Sequence, residues 1–201
     1  ATAGSISSRC RGDPTSRLQG SNANLTAQSG ISVGTRIADV TATVLQSGDI
    51  VINDDFDDRE DPAAEPPLSD LQLSSLTTAD GSITVSAIQN LDAVSVSAEG
   101  TGDVSLTTTA GDIFLDTVSA TGDAVILSAV GWKDSTDFYE TGFIDGDELS
   151  ITANEVDWTA RQLPDATIYQ DIPEISARLL GGGDENDIEF TARGTTTLKE
   201  V

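Results

Sequence analysis

Apolar and hydroxyl-bearing side chains alternate along much of the chain. Val, Ile or Leu at every second position, separated by Ser or Thr, is typical of β-strands that bury one face. The clearest examples are three five-residue segments, Ile83–Ala87, Val104–Thr108 and Val125–Ala129, whose first residues are 21 positions apart. The pattern therefore predicts short strands that recur at a constant interval, and it contains no helical periodicity.

A second series of strands lies between the members of the first. Val94–Ser97 and Ile113–Asp116 begin 19 residues apart, and each follows a strand of the first series by about half a period. Ile31 and Ile50 begin similar apolar runs, also 19 residues apart, and the pattern returns at Leu149–Ala153. Two strands in each repeat of about 19 to 21 residues is the simplest interpretation.

Glycine and aspartate recur just before these apolar runs, as in Gly48-Asp49, Gly102-Asp103 and Gly111-Asp112. Glycine tolerates the positive φ that tight turns require, and an aspartate side chain can accept hydrogen bonds from the turn backbone. We expect a turn at each of these positions. The turns thus repeat at the same interval as the strands.

A β-sandwich also has short strands at 8 to 12 residue intervals, so strand spacing alone does not distinguish the two folds. The 21-residue recurrence of near-identical segments favours a solenoid, in which equivalent residues stack about 4.8 Å apart from coil to coil. We therefore predict an all-β fold, a parallel β-helix (solenoid) of about 19–21-residue coils with inserted loops. Residues 25–158 would form the coils, 1–24 an N-terminal extension or cap, and 159–201 C-terminal coils or a cap.

Two stretches interrupt the predicted coils. Residues 53–67 form an acidic, proline-bearing segment that cannot continue a strand ladder, because proline lacks the backbone donor. Residues 132–148 bring aromatic and acidic side chains together in a chain that has few aromatics. We expect both stretches to be loops inserted into the solenoid.

The repeats resemble those of filamentous-haemagglutinin-like bacterial adhesins and related exoproteins. The resemblance covers residues 25–158, and the segments 76–85 and 106–115, LTTADGSITV and LTTTAGDIFL, look like consecutive units of that type. It implies a right-handed parallel β-helix in a protein of the bacterial cell surface or extracellular medium. It also implies a structural and adhesive role.

The charge balance narrows the choice of partners. The chain has 34 acidic and 10 basic residues, a formal net charge of −24 at pH 7. Nucleic-acid binding requires a basic surface to replace condensed counterions, so we predict no nucleic-acid partner. No apolar run reaches the roughly 20 residues that span a bilayer, so no membrane insertion is expected within this chain. Calcium is the cation that acidic loops could bind, although a simply solvated surface explains the charge as well.

Catalysis is not expected. The chain has no histidine and a single cysteine, Cys10, which excludes Ser-His and Cys-His nucleophile arrangements within it. Carboxylates are abundant, but their number does not specify a pair placed across a sugar cleft. A polysaccharide-acting β-helix enzyme therefore stays only as an alternative.

Aromatic residues of the second interruption, Trp132, Phe138, Tyr139 and Phe143, are the predicted binding residues. Exposed aromatic rings can stack on sugars or anchor a protein interface. The alternative is a hydrophobic lid that folds back over the coil below it. The predicted partners are surface glycans or proteins, or further copies of the chain if it is a filament or surface-layer subunit.

Overall fold

The computed structural model describes residues 4–7, 18–54, 70–129, 131–134, 143–153, 155–157, 174–179 and 197–200, and no helix occurs among them. The described residues form fourteen β-strands, which belong to one continuous sheet. Their bounds are β1 Ile6–Ser7, β2 Leu18–Ala27, β3 Ile31–Ser47, β4 Ile50–Asp54, β5 Leu71–Asp80, β6 Ile83–Ala87, β7 Leu91–Ala98, β8 Val104–Thr108, β9 Ile113–Ser128, β10 Gly131–Asp134, β11 Phe143–Ala153, β12 Glu155–Asp157, β13 Glu174–Leu179 and β14 Thr197–Glu200.

The strands of successive coils pair in parallel. Ile83 of β6 is the partner of Val104 of β8, and Val104 is the partner of Val125 of β9, so the three segments that recur every 21 residues lie in register. Ile31 pairs with Ile50 in the same way. Parallel pairing between coils, with alternating burial along each strand, is the architecture of a β-solenoid. The predicted fold class is confirmed.

The second strand series is bent. In β7, the alternation of buried and outward side chains slips by one residue at Val94 and Ser95, which are both only partly buried. The bend divides the strand into two arms, so each coil has three walls: the first arm, the second arm, and the strand of the first series. Ile113 pairs with Leu91. The predicted equivalence of Val94 and Ile113 is therefore wrong, because Val94 lies at the corner.

Apolar side chains of all three walls fill the interior. Each large residue stacks on its counterpart in the next coil, as Leu91 does between Leu71 and Ile113, and all three are inaccessible to solvent. Burying a Leu or Ile side chain contributes about 1.5–3 kcal/mol, so the stack of apolar columns is the main source of stability. One buried polar pair joins this core: the Thr35 hydroxyl donates to Asp54 Oδ1 at 3.1 Å.

Turns of neighbouring coils touch through their backbones. A Cβ atom on Gly102 would lie 1.9 Å from the carbonyl oxygen of Gly81, far inside van der Waals contact. Gly48 has a φ of 145° and a Cβ there would lie 2.2 Å from the Ser29 carbonyl oxygen. Positive φ was the predicted reason for these glycines. It applies to Gly48, whereas Gly102 is needed because the turn of the preceding coil, at Gly81, passes too close for any side chain.

Described strands also occur before residue 25 and within the second predicted interruption. Before residue 25, β2 begins at Leu18 and pairs with β3, and Ile6 pairs with Ile31. Within 132–148, β10 pairs with β9, and β11 starts at Phe143. Residues 55–69 and 135–142 lie outside the described residues. They contain most of the first predicted loop and about half of the second, and the three-part division of the chain stays a prediction.

Candidate functional site

A groove on the outer surface of the first wall is the best candidate for a binding site. The first wall is formed by the first arms of β5, β7 and β9, where outward and buried residues alternate. Gln72 pairs with Asp92, and Asp92 pairs with Phe114, so these three outward positions form a column across three coils. Adjacent members of such a column lie about 4.8 Å apart.

The groove runs along this column. It has a volume of about 470 Å³ and is lined by Ala38, Asp70, Gln72, Asn90, Asp92 and Phe114. That size falls within the range of small-ligand sites, about 300–1,000 Å³. Two carboxylates, two amides and one aromatic ring therefore converge on a single depression.

Backbone hydrogen bonds fix the edge of the groove. Asn90 lies in the turn that precedes β7, and its side-chain Oδ1 accepts a hydrogen bond from the backbone N–H of Asp112, one coil further on, at 2.9 Å. The Asn90 carbonyl oxygen accepts from the N–H of Leu71 at 2.9 Å. Asn90 is thus held from both neighbouring coils, which positions this side of the groove before any ligand arrives.

The environment of Asp92 in the groove disfavours its negative charge. Partial burial raises the pKa of Asp92 above its ordinary value, and the negative charge of Asp70 raises it further. Burial disfavours a charged carboxylate, and a neighbouring like charge adds to that effect. The folded chain therefore holds Asp92 in an environment that favours a proton or a bound positive charge.

The polar column continues beyond the groove. Asp39 pairs with Gln72 in the next coil, and Asp39 Oδ2 accepts a hydrogen bond from the Asn22 side-chain amide at 3.1 Å. Asp39 Oδ1 is buried and has no hydrogen-bond partner among the described residues. Carboxyl and amide groups thus occupy four successive outward positions, from Asn22 to Asp92, before Phe114 is reached.

No protein-family model, curated protein or solved structure matches this chain. The fold is thus established by the geometry of the chain itself, and the resemblance to filamentous-haemagglutinin-like repeats remains one of sequence pattern. Among the described residues, no helix is long and apolar enough to cross a membrane. Nor do those residues contain a group of three or more Cys, Asp or Glu side chains arranged to hold a metal ion.

Two of the four predicted aromatic binding residues belong to described strands. The backbone of Trp132 lies in β10, where it pairs with Ile113 and Val156. Phe143 begins β11 and pairs with Thr117. Phe138 and Tyr139 lie outside the described residues, so the binding role of these four aromatics stays a prediction.

Sequence analysis did not identify the groove. Its outward residues lie in three short segments, Leu71-Gln72-Leu73, Leu91-Asp92-Ala93 and Ile113-Phe114-Leu115, where each follows the first buried apolar residue of a first arm. Aligning these three segments would have placed Gln72, Asp92 and Phe114 in one column. The 19-residue alignment of Val94 with Ile113 concealed that relationship.

The groove offers binding chemistry of three kinds. Carboxylates accept strong, charge-assisted hydrogen bonds, and side-chain amides both donate and accept. Phe114 supplies a half-buried apolar ring on which another flat or apolar face can pack. This combination suits a ligand that carries hydroxyl or amine donors along with an apolar surface.

Proposed function

We propose that this chain is a non-catalytic structural and adhesive module of a bacterial cell-surface or secreted protein. Its coils form an acidic scaffold that displays binding residues at its outer surface. The observation that carries the proposal is the unbroken register of the first wall, which stacks outward side chains of different coils into one column. The chain would function by displaying these side chains to a ligand, since each column offers several contacts at fixed spacing.

The coil-to-coil hydrogen bonds support a stiff scaffold. Asp49 Oδ1 accepts from the N–H of Ser82 at 2.9 Å, and Asp103 Oδ1 accepts from the N–H of Ala124 at 3.0 Å, so the turns are tied together as well as the strands. In a solenoid, stability is close to the sum of repeat and neighbour terms, which lets such a stack extend without loss of order. The resemblance to filamentous-haemagglutinin-like adhesins agrees with this role.

Binding to a surface glycan tests the proposal. The chain has one cysteine, Cys10, so thiol coupling to beads would attach every copy through the same residue. Beads would be passed over surfaces coated with neutral, acidic or amino-sugar polysaccharides, and retention under flow would be measured. We expect retention on at least one class, with no shortening of the polysaccharide. No retention on any class, or release of soluble sugar, would contradict an adhesive, non-catalytic role.

A polysaccharide-acting enzyme is the second candidate, and the pair Asp70 and Asp92 is the observation that favours it. Glycosidases use two carboxyl groups, of which the general acid has a raised pKa, and the pKa of Asp92 is raised. Release of reducing ends from any of the three polysaccharide classes, abolished by Asp92→Asn, would favour this candidate. Retention without reducing ends would favour the adhesive module.

A further inference from the structure

We infer that the first-wall groove binds a chain of amine-bearing sugars, with Asp70 and Asp92 as partners of a ligand ammonium group and Phe114 as the packing surface for a sugar ring. This inference deepens the proposed adhesive function and rests on it. It names the chemical class of the ligand and the residues that contact it.

The charge of the groove argues for a cationic ligand. Among the residues that line it, Asp70 and Asp92 are acidic and none is basic. The whole chain carries a net charge of −24, so an anionic polysaccharide would be repelled both at a distance and in the groove. An ammonium group placed between the two carboxylates would relieve the repulsion between them and replace part of the water that Asp92 loses through burial.

The uncharged side chains of the groove argue for a sugar rather than a simple amine. Gln72 and Asn90 line the same depression as the carboxylates, and the amide groups can exchange hydrogen bonds with sugar hydroxyls. The Gln72 side chain is exposed and makes no hydrogen bond to another described residue. Its donors and acceptor are therefore available to a ligand without loss of an existing contact.

Phe114 completes the site. It is the only aromatic side chain among the residues lining the groove, and it follows Asp92 directly in the column, about 4.8 Å further along the stack. The C–H face of a sugar ring can pack on an aromatic ring, which adds apolar contact area. A sugar chain that runs along the coil axis would thus place one unit at the carboxylates and its end unit over the ring, because Lys133 is the next residue of the column after Phe114.

The direct test is titration of the chain with a β-1,4-linked glucosamine tetramer, at a pH where the amines are protonated. Binding would be followed by calorimetry and by the backbone amide resonances of residues 70–72, 90–92 and 112–114. The N-acetylated tetramer, which has the same sugar backbone without the charge, is the matched control ligand. A diamine without sugar rings is the second control.

We expect the glucosamine tetramer to shift these resonances and to bind about tenfold more tightly than either control ligand. Asp92→Asn and Phe114→Leu should each weaken binding by about tenfold or more. Glu99→Gln removes one exposed negative charge from another corner, and Ile126→Ala removes an exposed apolar side chain from the third wall. Both should leave the affinity within about twofold.

Three outcomes would overturn the inference. Equal loss of affinity in Glu99→Gln and Asp92→Asn would show attraction to the overall charge without a site, and equal binding of the acetylated tetramer would show that the amine is not recognised. Circular dichroism of each variant separates loss of binding from loss of folding. If the tetramer fails to bind while beads are retained on a neutral or acidic polysaccharide, the inference falls and the adhesive function stands.

Discussion

Asp103 Oδ1 accepts a hydrogen bond from the backbone N–H of Ala124, 21 residues further along the chain and one coil further along the stack, at 3.0 Å. The same relationship holds one coil earlier, where Ser82 Oγ accepts from the N–H of Asp103 at 3.2 Å. Asp49 Oδ1 begins the series by accepting from the N–H of Ser82. The residue that follows the turn glycine therefore satisfies the backbone of the next turn, which explains why Asp and Ser recur there.

Removal of one of these acceptors should weaken the joint between two coils. Asp103→Ala leaves the N–H of Ala124 without its partner and should lower the free energy of unfolding by about 1–2 kcal/mol. Asp103→Asn keeps an oxygen at the same position and should lose less than half as much. Urea denaturation followed by circular dichroism measures both, with Glu99→Ala as an exposed control in the same corner. Equal stability of Asp103→Ala and wild type would show that the bond contributes nothing.

Glycine at the stacked turns should be indispensable for steric reasons. Gly102→Ala forces a methyl group against the Gly81 carbonyl oxygen, and we expect a loss of about 3 kcal/mol or more. Gly4→Ala is the matched control, because its Cβ would have no neighbour nearer than Ser29 Oγ at 3.8 Å. That change should stay within about 0.5 kcal/mol. Thermal unfolding would be measured for both variants. Similar midpoints for Gly102→Ala and Gly4→Ala would contradict the close approach of the turns.

Ionised Asp92 should destabilise the folded chain at neutral pH. Its pKa is raised on folding, by burial first and by Asp70 second, so the folded state binds a proton more readily than the unfolded state. Stability should therefore rise as pH falls through the folded pKa of Asp92, and this contribution should level off below the unfolded pKa of about 3.9. Asp92→Asn should raise the melting temperature at neutral pH and lose that advantage near pH 3, where Asp92 is protonated in both states.

Charge relief alone would also stabilise a chain of net charge −24, so the comparison needs a control. Glu99→Gln removes the same charge from an exposed position. Its melting temperature should rise less than that of Asp92→Asn at neutral pH. If the melting temperature rose equally in the two variants, the groove would not destabilise ionised Asp92 beyond the general effect of the net charge.

The repeat pattern was sufficient to predict the fold but not the walls of the coil. Ile83, Val104 and Val125 were aligned correctly because each begins a straight segment of the third wall, in which alternation is unbroken. The segments 76–85 and 106–115, although similar in sequence, are not equivalent: Leu76 pairs with Val96, whereas Leu106 pairs with Leu127. Similar apolar and turn residues suit two different corners of the coil, so sequence likeness alone misaligned them.

The groove could not be predicted for a related reason. Its residues are outward-facing, and an outward position in a solenoid tolerates almost any polar side chain, so Gln72 and Asp92 carry no motif. Only the register brings them together, and the long interruption between β4 and β5 hides the register of β5 from a simple count. A candidate site built across coils is visible once each coil has been aligned by its buried residues.

Disulfide cross-linking within the groove column tests the central claim, that outward residues of successive coils lie directly beside one another. In a Cys10→Ser background, Gln72→Cys with Asp92→Cys places two thiols on paired residues, with Cα atoms about 4.8 Å apart, within disulfide range. Gln72→Cys with Phe114→Cys spans two coils, about 9.6 Å, which is too far. Mild oxidation followed by a count of free thiols should show loss of both thiols in the first variant and retention of both in the second. Equal oxidation of the two, or oxidation of the second alone, would contradict the stacked register and the groove built on it.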